Sequence, residues 1–421
     1  MKFKSLEIHN WKQFDNIDIE FHDRLTVLTG ANASGKTTLL NLLAQHFGWN
    51  FQELPTPMKD RDTGEIKFLI PVSHSSAFFV ESQSDYLKIQ EICYRIGEII
   101  YTDGSQADIE ILDETWPTLN ILIPRTIRGV YIPSDRPEFT YKSVDEIPKG
   151  KNSEMAFSSV STAHRNRSLN PSGLPARNYY TPPCYYIKET LLSWGVFGFG
   201  SEVIVSNRKY RHMYRGFKDV LKKILPEELG FESYEIREAE IVFVTKSGEF
   251  MMDAVSGGIG ALIDMAWQIY TYSENVSDPF IVLIDEIETH LHATMQRRLL
   301  PSFLEAFPNV QFIVSTHSPL VVSSVRDSSV YVLKYNDENR VESMPLDITG
   351  KARDAVDILK DVLGVSFTMP IWVENKLDEI NEKYSKLDIN EDTFAALRKE
   401  LTEIGLEDLV PLSIDKILSS K

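Results

Sequence analysis

The segment from Gly30 to Thr37 reads Gly-Ala-Asn-Ala-Ser-Gly-Lys-Thr and fits the spacing G-x-x-x-x-G-K-[ST] of a phosphate-binding loop. Its glycines let backbone N–H groups curl around an anion, and the helix that follows adds the positive end of its dipole. Lys36 is expected to reach the β- and γ-phosphates of a nucleotide, and the Thr37 hydroxyl to bind Mg²⁺. The residues predicted to contact the nucleotide here are Gly30, Ala31, Asn32, Ala33, Ser34, Gly35, Lys36, Thr37 and Thr38.

Two carboxylates directly follow an apolar run in the second half of the chain. The run Phe280–Ile284 has the fully apolar character of a central parallel strand, and Asp285 and Glu286 come next. Asp285 can hold Mg²⁺, either directly or through water. Glu286 is placed to orient an attacking water and to take its proton.

Two further segments point to phosphate chemistry. Ser256, Gly257 and Gly258 precede a helix predicted from about residue 260 to 272, and a serine with two glycines at a helix start forms an anion-binding nest. His317 follows a strand predicted at 310–314, where it can sense or stabilise charge on a γ-phosphate. Each has an ordinary alternative, because such turns are often structural and a lone histidine is usually inert.

These residues need a frame of strands and helices. A buried strand at 25–29, a glycine-rich turn and a helix from about Gly35 give the setting that a phosphate-binding loop requires. A helix at 293–307 separates two apolar strands, as in an α/β fold. Hairpins are predicted at 87–113, with the turn at Asp103-Gly104, and at 236–249. The segment 134–190 shows little periodicity and is predicted to be irregular, as a long functional loop or a small lid.

The C-terminal part is predicted to be a helical module. Two apolar stripes step by three and four residues, one from Val373 to Leu387 and one from Phe394 to Ile404, and a short polar turn joins them. We therefore expect one domain at 1–350, with an insertion at about 50–250, and a module at 351–421.

Composition limits the classes that remain. The chain has no apolar run near the roughly 20 residues that span a bilayer and no apolar block at its N-terminus, so no membrane partner and no signal peptide are expected. Its two cysteines, Cys93 and Cys184, lie far apart, which fits a reducing cytoplasm. A net charge of −17 disfavours broad nucleic-acid binding, although seven basic residues fall within 208–223. That segment is either a solvated helix face or a local nucleic-acid patch.

The order of GANASGKT, VSGG, IVLIDEIETHLH and IVSTHSP closely resembles the ABC-type ATPases of the SMC, RecF and OLD groups. The resemblance implies an α/β ABC-type P-loop ATPase head with a β-rich central insertion and a small helical C-terminal module. It implies ATP and Mg²⁺ as cofactors, a D-loop around Glu288–His292, and Glu286 and His317 as catalytic residues. It also implies that Ser256–Gly258 is the signature that caps the γ-phosphate of the opposite subunit, in a head-to-tail homodimer or a higher oligomer.

The chain departs from the family pattern at a few positions. Ala33 replaces a common glycine and is expected to be tolerated, while Val255 and Ile259 flank the signature where transporters usually have Leu and Gln. No Q-loop glutamine stands out. Asn10–Phe14 resembles the family's early segment, so Lys12 is either a residue that packs near the adenine or a simple surface lysine.

The remainder of the chain narrows the resemblance. Residues 50–250 show no sustained heptads, so no long coiled coil is expected. About 100 residues follow His317 and are predicted to be helical, which leaves no room for a TOPRIM nuclease domain. The chain is therefore similar to compact ATPases of bacterial anti-phage systems, Septu PtuA-like or retron-associated, in which a partner nuclease or toxin is the effector.

Two other functions stay open at this point. A RecF-like DNA-binding ATPase in repair would use the basic segment 208–223 together with Arg165, Arg167 and Arg177. A transporter nucleotide-binding subunit is disfavoured by the 200-residue insertion and by the His-Leu-His sequence of the D-loop region.

Overall fold

The computed structural model describes most of the chain in two units. The described residues are 1–51, 56–59, 64, 66–69, 77–84, 87–112, 118–122, 126–169, 181–346, 371–385, 391–403, 406, 407, 410, 413, 414 and 417. One compact unit is Met1–Ile358 and the other is Leu359–Lys421.

The elements are numbered in chain order. The strands are β1 (Phe3–Trp11), β2 (Phe14–Glu20), β3 (Leu25–Gly30), β4 (Thr56–Lys59), β5 (Ile66–Leu69), β6 (Ala77–Ser84), β7 (Leu87–Tyr101), β8 (Gln106–Leu112), β9 (Thr118–Ile121), β10 (Gly129–Ile132), β11 (Phe231–Arg237), β12 (Glu240–Thr245), β13 (Gly248–Met251), β14 (Phe280–Ile284), β15 (Val310–Ser315), β16 (Ser329–Tyr335) and β17 (Val341–Pro345). The helices are α1 (Lys36–Ala44), α2 (Ser153–Leu169), α3 (Pro183–Phe199), α4 (Arg208–Ile224), α5 (Gly257–Ser273), α6 (Ala293–Ala306), α7 (Pro319–Val322), α8 (Ile371–Ser385) and α9 (Glu391–Glu403).

One half of the large sheet is parallel. Its strands lie in the order β10, β14, β15, β3, β16, and each neighbouring pair runs in the same direction. All five residues of β14 and all six of β15 are buried, as expected for strands that are covered on both faces. The α/β prediction is confirmed. Because parallel strands end at the same edge, the segments that follow β3, β14 and β15 lie side by side.

The other half of the sheet is mostly antiparallel. It continues through β17, β2, β1, β7, β8 and β9, with β6 paired to β7, and only the β17–β2 pair is parallel. The predicted hairpin with its turn at Asp103-Gly104 is confirmed as β7 and β8. Along β1 and β2 buried and exposed side chains alternate, and the buried ones enter an aromatic-rich core that includes Phe3, Trp11 and Phe14.

Helices α2, α3 and α4 pack around α5, and the second predicted hairpin is confirmed as β12 and β13, with β11 alongside. The prediction that 134–190 is irregular is wrong for α2 and for the start of α3. The buried face of α2 contains Ser153 and His164 as well as Ala156 and Val160. Because two of these four side chains are polar, the pattern of apolar residues does not show the helical period. Helix α3 is buried on most sides and therefore shows no polar face.

The C-terminal unit contains the two predicted helices, α8 and α9. Their inward side chains form a separate core, whose buried members are Leu377, Ile380, Tyr384, Leu397, Leu401 and Ile417. In the described part of the chain no helix is both long enough and apolar enough to cross a membrane.

Candidate nucleotide-binding site

The phosphate-binding loop connects β3 to α1. Gly30 has φ 141° and Gly35 has φ 95°, backbone angles that side chains with a Cβ rarely adopt. A Cβ on Gly35 would also lie 2.4 Å from the Phe14 ring. Ala33 has φ 64°, so the alanine that replaces a common glycine is accommodated in the left-handed region, at a cost of about 1–2 kcal/mol. The loop is thus built, but with strain at Ala33.

Lys36 turns back over this loop. Its Nζ donates to the carbonyl oxygens of Gly30, at 3.0 Å, and Ala31, at 2.9 Å, and the side chain is buried. Burial lowers the pKa of Lys36 to about 8, although the carboxylates of Asp285, Glu286 and Glu288 act in the opposite direction. A buried amine is therefore held close to three carboxylates, and the phosphates of a nucleotide would further favour its charged form.

Thr37 and Asp285 form the candidate Mg²⁺ site. The Thr37 hydroxyl lies 3.1 and 3.0 Å from the two carboxylate oxygens of Asp285, and the Ser315 hydroxyl donates to Asp285 Oδ1 at 2.6 Å. Mg²⁺ takes one or two protein oxygens and completes its shell with phosphate oxygens and water. A hydroxyl beside a buried carboxylate fits that need, so the residues present suit the ion that the sequence implies.

Glu286 and His317 come together at the ends of β14 and β15. Glu286 Oε1 lies 3.7 Å from His317 Nε2, and both side chains are partly exposed to solvent. The Glu286 backbone has φ 43°, and its N–H donates to Ser315 Oγ at 2.7 Å. The His317 N–H donates to Glu288 Oε1 at 2.6 Å. Two predicted catalytic residues therefore face the same space beside the Mg²⁺ site.

The signature segment is at the start of α5, which begins three residues earlier than predicted. Ser256 is the N-cap residue, yet its exposed side chain makes no capping hydrogen bond. A Cβ on Gly258 would lie 2.8 Å from the His290 carbonyl oxygen, so the glycine permits close packing against the D-loop region. Val255 and Ile259 are partly buried. The Ser256 hydroxyl and the first N–H groups of α5 are thus available to an anion.

Lys12 lies in the turn between β1 and β2. Its Nζ is 4.9 Å from the centre of the Trp11 ring. The next two residues, Gln13 and Phe14, approach Gly35 closely enough to exclude a Cβ there. The structure therefore brings Lys12 to the neighbourhood of the phosphate-binding loop, and its contact with adenine stays a prediction.

Several residues at the site are not predicted by any sequence pattern. Arg136 is buried and donates to the carbonyl oxygens of Asp285, at 3.0 Å, and Glu286, at 2.7 Å. Ser315 bridges the same two acidic residues, and the Tyr335 hydroxyl donates to the Ala33 carbonyl at 3.0 Å. The only local signals are that Ser315 ends an apolar strand and that Arg136 follows β10. Their roles depend on strand order, which the sequence does not display.

Two family models match separate parts of the chain. Residues 5–120, which include the phosphate-binding loop, match a model described as "AAA domain". Residues 219–323, which include the signature, the acidic pair and His317, match "AAA domain, putative AbiEii toxin, Type IV TA system". Both matched segments are therefore similar to AAA-type ATPase domains. Together they take in both halves of the candidate site that the geometry brings together.

Curated proteins similar to this chain include "Retron Ec83 probable ATPase" from Escherichia coli, which is 27% identical over 40% of this chain and 30% of that protein. Another is "Septu protein PtuA" from Bacillus thuringiensis, 27% identical over 42% of this chain and 51% of that protein. The predicted relation to such ATPases is confirmed. The chain spans about a third to a half of the length of these two relatives.

Among solved structures, an "SMC head domain from Thermotoga maritima" is similar to this chain with a TM-score of 0.40 and 16% identity, over 82% of this chain and 99% of that chain.

Proposed function

We propose that the protein binds ATP with Mg²⁺ and hydrolyses it as a head-to-tail dimer. The observation that carries the proposal is the convergence of five side chains at the edge of the parallel strands: Lys36, Thr37, Asp285, Glu286 and His317. In this arrangement Lys36 and the loop bind the phosphates. Thr37 and Asp285 would hold Mg²⁺, which would supply positive charge beside the transferred phosphoryl group. Glu286 takes the proton of the attacking water, and His317 stabilises γ-phosphate charge.

The exposed, uncapped hydroxyl of Ser256 supports a shared site. In a two-fold dimer the Ser256–Gly258 segment of one subunit faces the nucleotide on the Lys36 loop of the other, so that two identical sites form. ATP presents a γ-phosphate to that segment and ADP does not. ATP therefore favours the closed dimer by its differential affinity for that state.

A mixing experiment tests the shared site. Lys36→Ala and Ser256→Arg proteins, each inactive alone, are combined, and heterodimers are verified by two affinity tags. A heterodimer has one site with both lesions and one site with neither, so hydrolysis should return to about a quarter of the wild-type rate at equal mixing. Lys36→Ala mixed with Glu286→Gln is the matched control, because that pair leaves one lesion in each site and should restore nothing.

Three results would oppose the shared site. Full activity of Ser256→Arg alone would exclude a role for the signature. Heterodimers that form without any return of hydrolysis would exclude two independent composite sites. Equal recovery of hydrolysis in the control mixture would show that the substitutions are not distributed between the two sites as proposed.

The retron and Septu relatives support a biological setting for this activity. We infer that the ATPase regulates a separate effector, a nuclease or a toxin, in bacterial anti-phage defence. In its native genomic setting, Lys36→Ala should abolish protection against phage while the effector is still produced. Undiminished protection by that variant in plaque assays would contradict the inference.

A basic stripe on α4 favours a second candidate function, RecF-like DNA binding. Residues that step by three and four along one face of this helix are all basic, namely Arg208, Arg211, Arg215, Lys218 and Lys222. The opposite face is buried through Met213, Phe217 and Leu221. An evenly spaced row of cations suits a phosphate backbone, and the proposal predicts steeply salt-dependent DNA binding. Binding that does not change with salt, or that survives Arg215→Ala combined with Lys222→Ala, would eliminate it.

A further inference from the structure

Arg136 holds both acidic residues of the site through their backbones. It follows β10, its side chain is buried, and its exposed fraction is 2%. Nη1 donates to the carbonyl oxygens of Pro133, at 2.9 Å, and Asp285, at 3.0 Å, while Nη2 donates to the carbonyl oxygen of Glu286 at 2.7 Å. Only a planar guanidinium presents donors in this fixed fork, so the contact is specific to arginine.

The Glu286 backbone needs such support. A glutamate at φ 43° lies in the left-handed region, which costs about 1–2 kcal/mol and persists only where neighbouring groups enforce it. Ser315 Oγ holds the N–H of Glu286 and Arg136 holds its carbonyl oxygen. The two contacts fix the peptide units on both sides of Cα, and with them the direction in which the carboxylate leaves the backbone.

The charge of Arg136 is balanced from the signature helix. Burial lowers the pKa of Arg136, and Asp264 of α5 is the strongest of the four carboxylates that raise it. Asp264 is itself buried, accepts from Gln268 Nε2 at 3.1 Å and contacts His164 Nε2 at 3.0 Å. Arg136 therefore lies between the helix that begins after Ser256 and the strand end that carries Glu286. Its Nε is buried and has no hydrogen-bond partner among the described residues. Burying this donor without a partner costs stability, and the hydrogen bonds that Nη1 and Nη2 make to carbonyl oxygens do not remove that cost.

We propose that Arg136 is a positioning residue for ATP hydrolysis: it holds Glu286 in the strained backbone conformation that aims its carboxylate at the attacking water. The inference rests on the proposed role of Glu286. The Arg136 side chain donates to backbone carbonyl oxygens behind the site, so we expect it to act on the rate of the chemical step and not on ATP affinity.

Two variants separate positioning from charge and from folding. Arg136→Lys keeps the cation beside Asp264 but loses the fork. Arg136→Met combined with Asp264→Asn removes the buried cation together with its counter-charge, which avoids an unpaired buried carboxylate. Because a misplacement of 1 Å can cost about 100-fold in rate, both variants should lower kcat by about that factor while KM for ATP and the ATP dissociation constant change less than threefold. Arg128→Lys, at the exposed pair with Asp278 just before β10, is the matched control and should match wild type.

The outcomes are distinct. The proposal is overturned if Arg136→Lys, folded by circular dichroism, hydrolyses ATP at the wild-type rate, or if it loses ATP affinity in proportion to kcat. Should the double variant fail to fold, Arg136→Lys alone decides. Glu286→Gln is measured in parallel: if it too is fully active, the proposed function fails, whereas an inactive Glu286→Gln beside a fully active Arg136→Lys overturns only the positioning role.

Discussion

The polar groups at the parallel half of the large sheet differ in surroundings and in expected role from those at the antiparallel half. At the edge of the parallel half, buried Lys36 and Asp285 lie beside partly exposed Glu286 and His317, and strained backbones occur at Ala33 and Glu286. At the antiparallel half, the partly buried His46, which follows α1, contacts the hydroxyl of buried Tyr101 in β7 and packs edge-on against the Phe3 ring. The side chains of the first set are placed to contact a ligand, whereas those of the second set make their hydrogen bonds within the protein. Changes in the first should alter turnover, and changes in the second should alter stability.

The largest effect that separates the two halves is expected from Lys36→Ala. It removes a charge-assisted contact to phosphate, worth about 1.5–3 kcal/mol, so ATP affinity should fall about 10- to 100-fold, and hydrolysis should be lost with it. Isothermal titration calorimetry measures the affinity. Lys334→Ala, an exposed lysine on neighbouring β16, is the control and should bind ATP normally. An unchanged ATP affinity in Lys36→Ala would contradict the assignment of phosphate binding to the parallel half.

A pH effect on stability should come from the contact that His46 makes with Tyr101 of the antiparallel half. His46 makes hydrogen bonds to the Leu43 carbonyl and the Tyr101 hydroxyl, and burial lowers its pKa to about 4. Between pH 6.5 and 4 the unfolded chain binds a proton that the folded protein does not. The stability from neutral His46, about 3 kcal/mol, is therefore complete above pH 6.5 and lost as pH falls towards 4.

Urea unfolding of wild type and His46→Gln across that range isolates this contribution, because other titrating groups cancel in the difference. The variant should show a flatter dependence on pH, with turnover at pH 7.5 within twofold of wild type. His9→Gln, at an exposed histidine of β1, is the control. Equal pH dependence in wild type and His46→Gln would show that the pair of His46 and Tyr101 does not carry the effect.

The smallest expected effect tests the strain in the phosphate-binding loop. Ala33→Gly should relieve about 1–2 kcal/mol of left-handed strain and lose about 0.4–1 kcal/mol through the freer unfolded chain, for a net gain of about 0.8 kcal/mol. Ala31→Gly, in the same loop but without a positive φ, should be destabilising. Thermal unfolding compares the two. Equal losses in both variants would mean that Ala33 is unstrained.

The features that could be predicted from the sequence have local sequence patterns, whereas the features that could not depend on contacts between distant residues. The places of the candidate phosphate-binding loop, the acidic pair and His317 were predictable because each follows a short buried strand, and parallel strands bring their ends together. The actions of Ser315 and Arg136 on Glu286 were not, since they join positions 29 and 150 residues apart. Helix α2 was missed because Ser153 and His164 occupy its buried face. The strain at Ala33 depends on loop geometry that spacing alone does not encode.

Single-turnover hydrolysis by Glu286→Gln tests the central claim most directly, which is that the edge of the parallel strands is an ATPase site with Glu286 as its base. The substitution keeps size and removes only the carboxylate, so ATP should bind within a few-fold of wild type because Lys36, Thr37 and Asp285 remain. Hydrolysis should fall by about 100-fold or more, the contribution of a general base. Hydrolysis at the wild-type rate by a folded, ATP-bound Glu286→Gln protein would contradict the account.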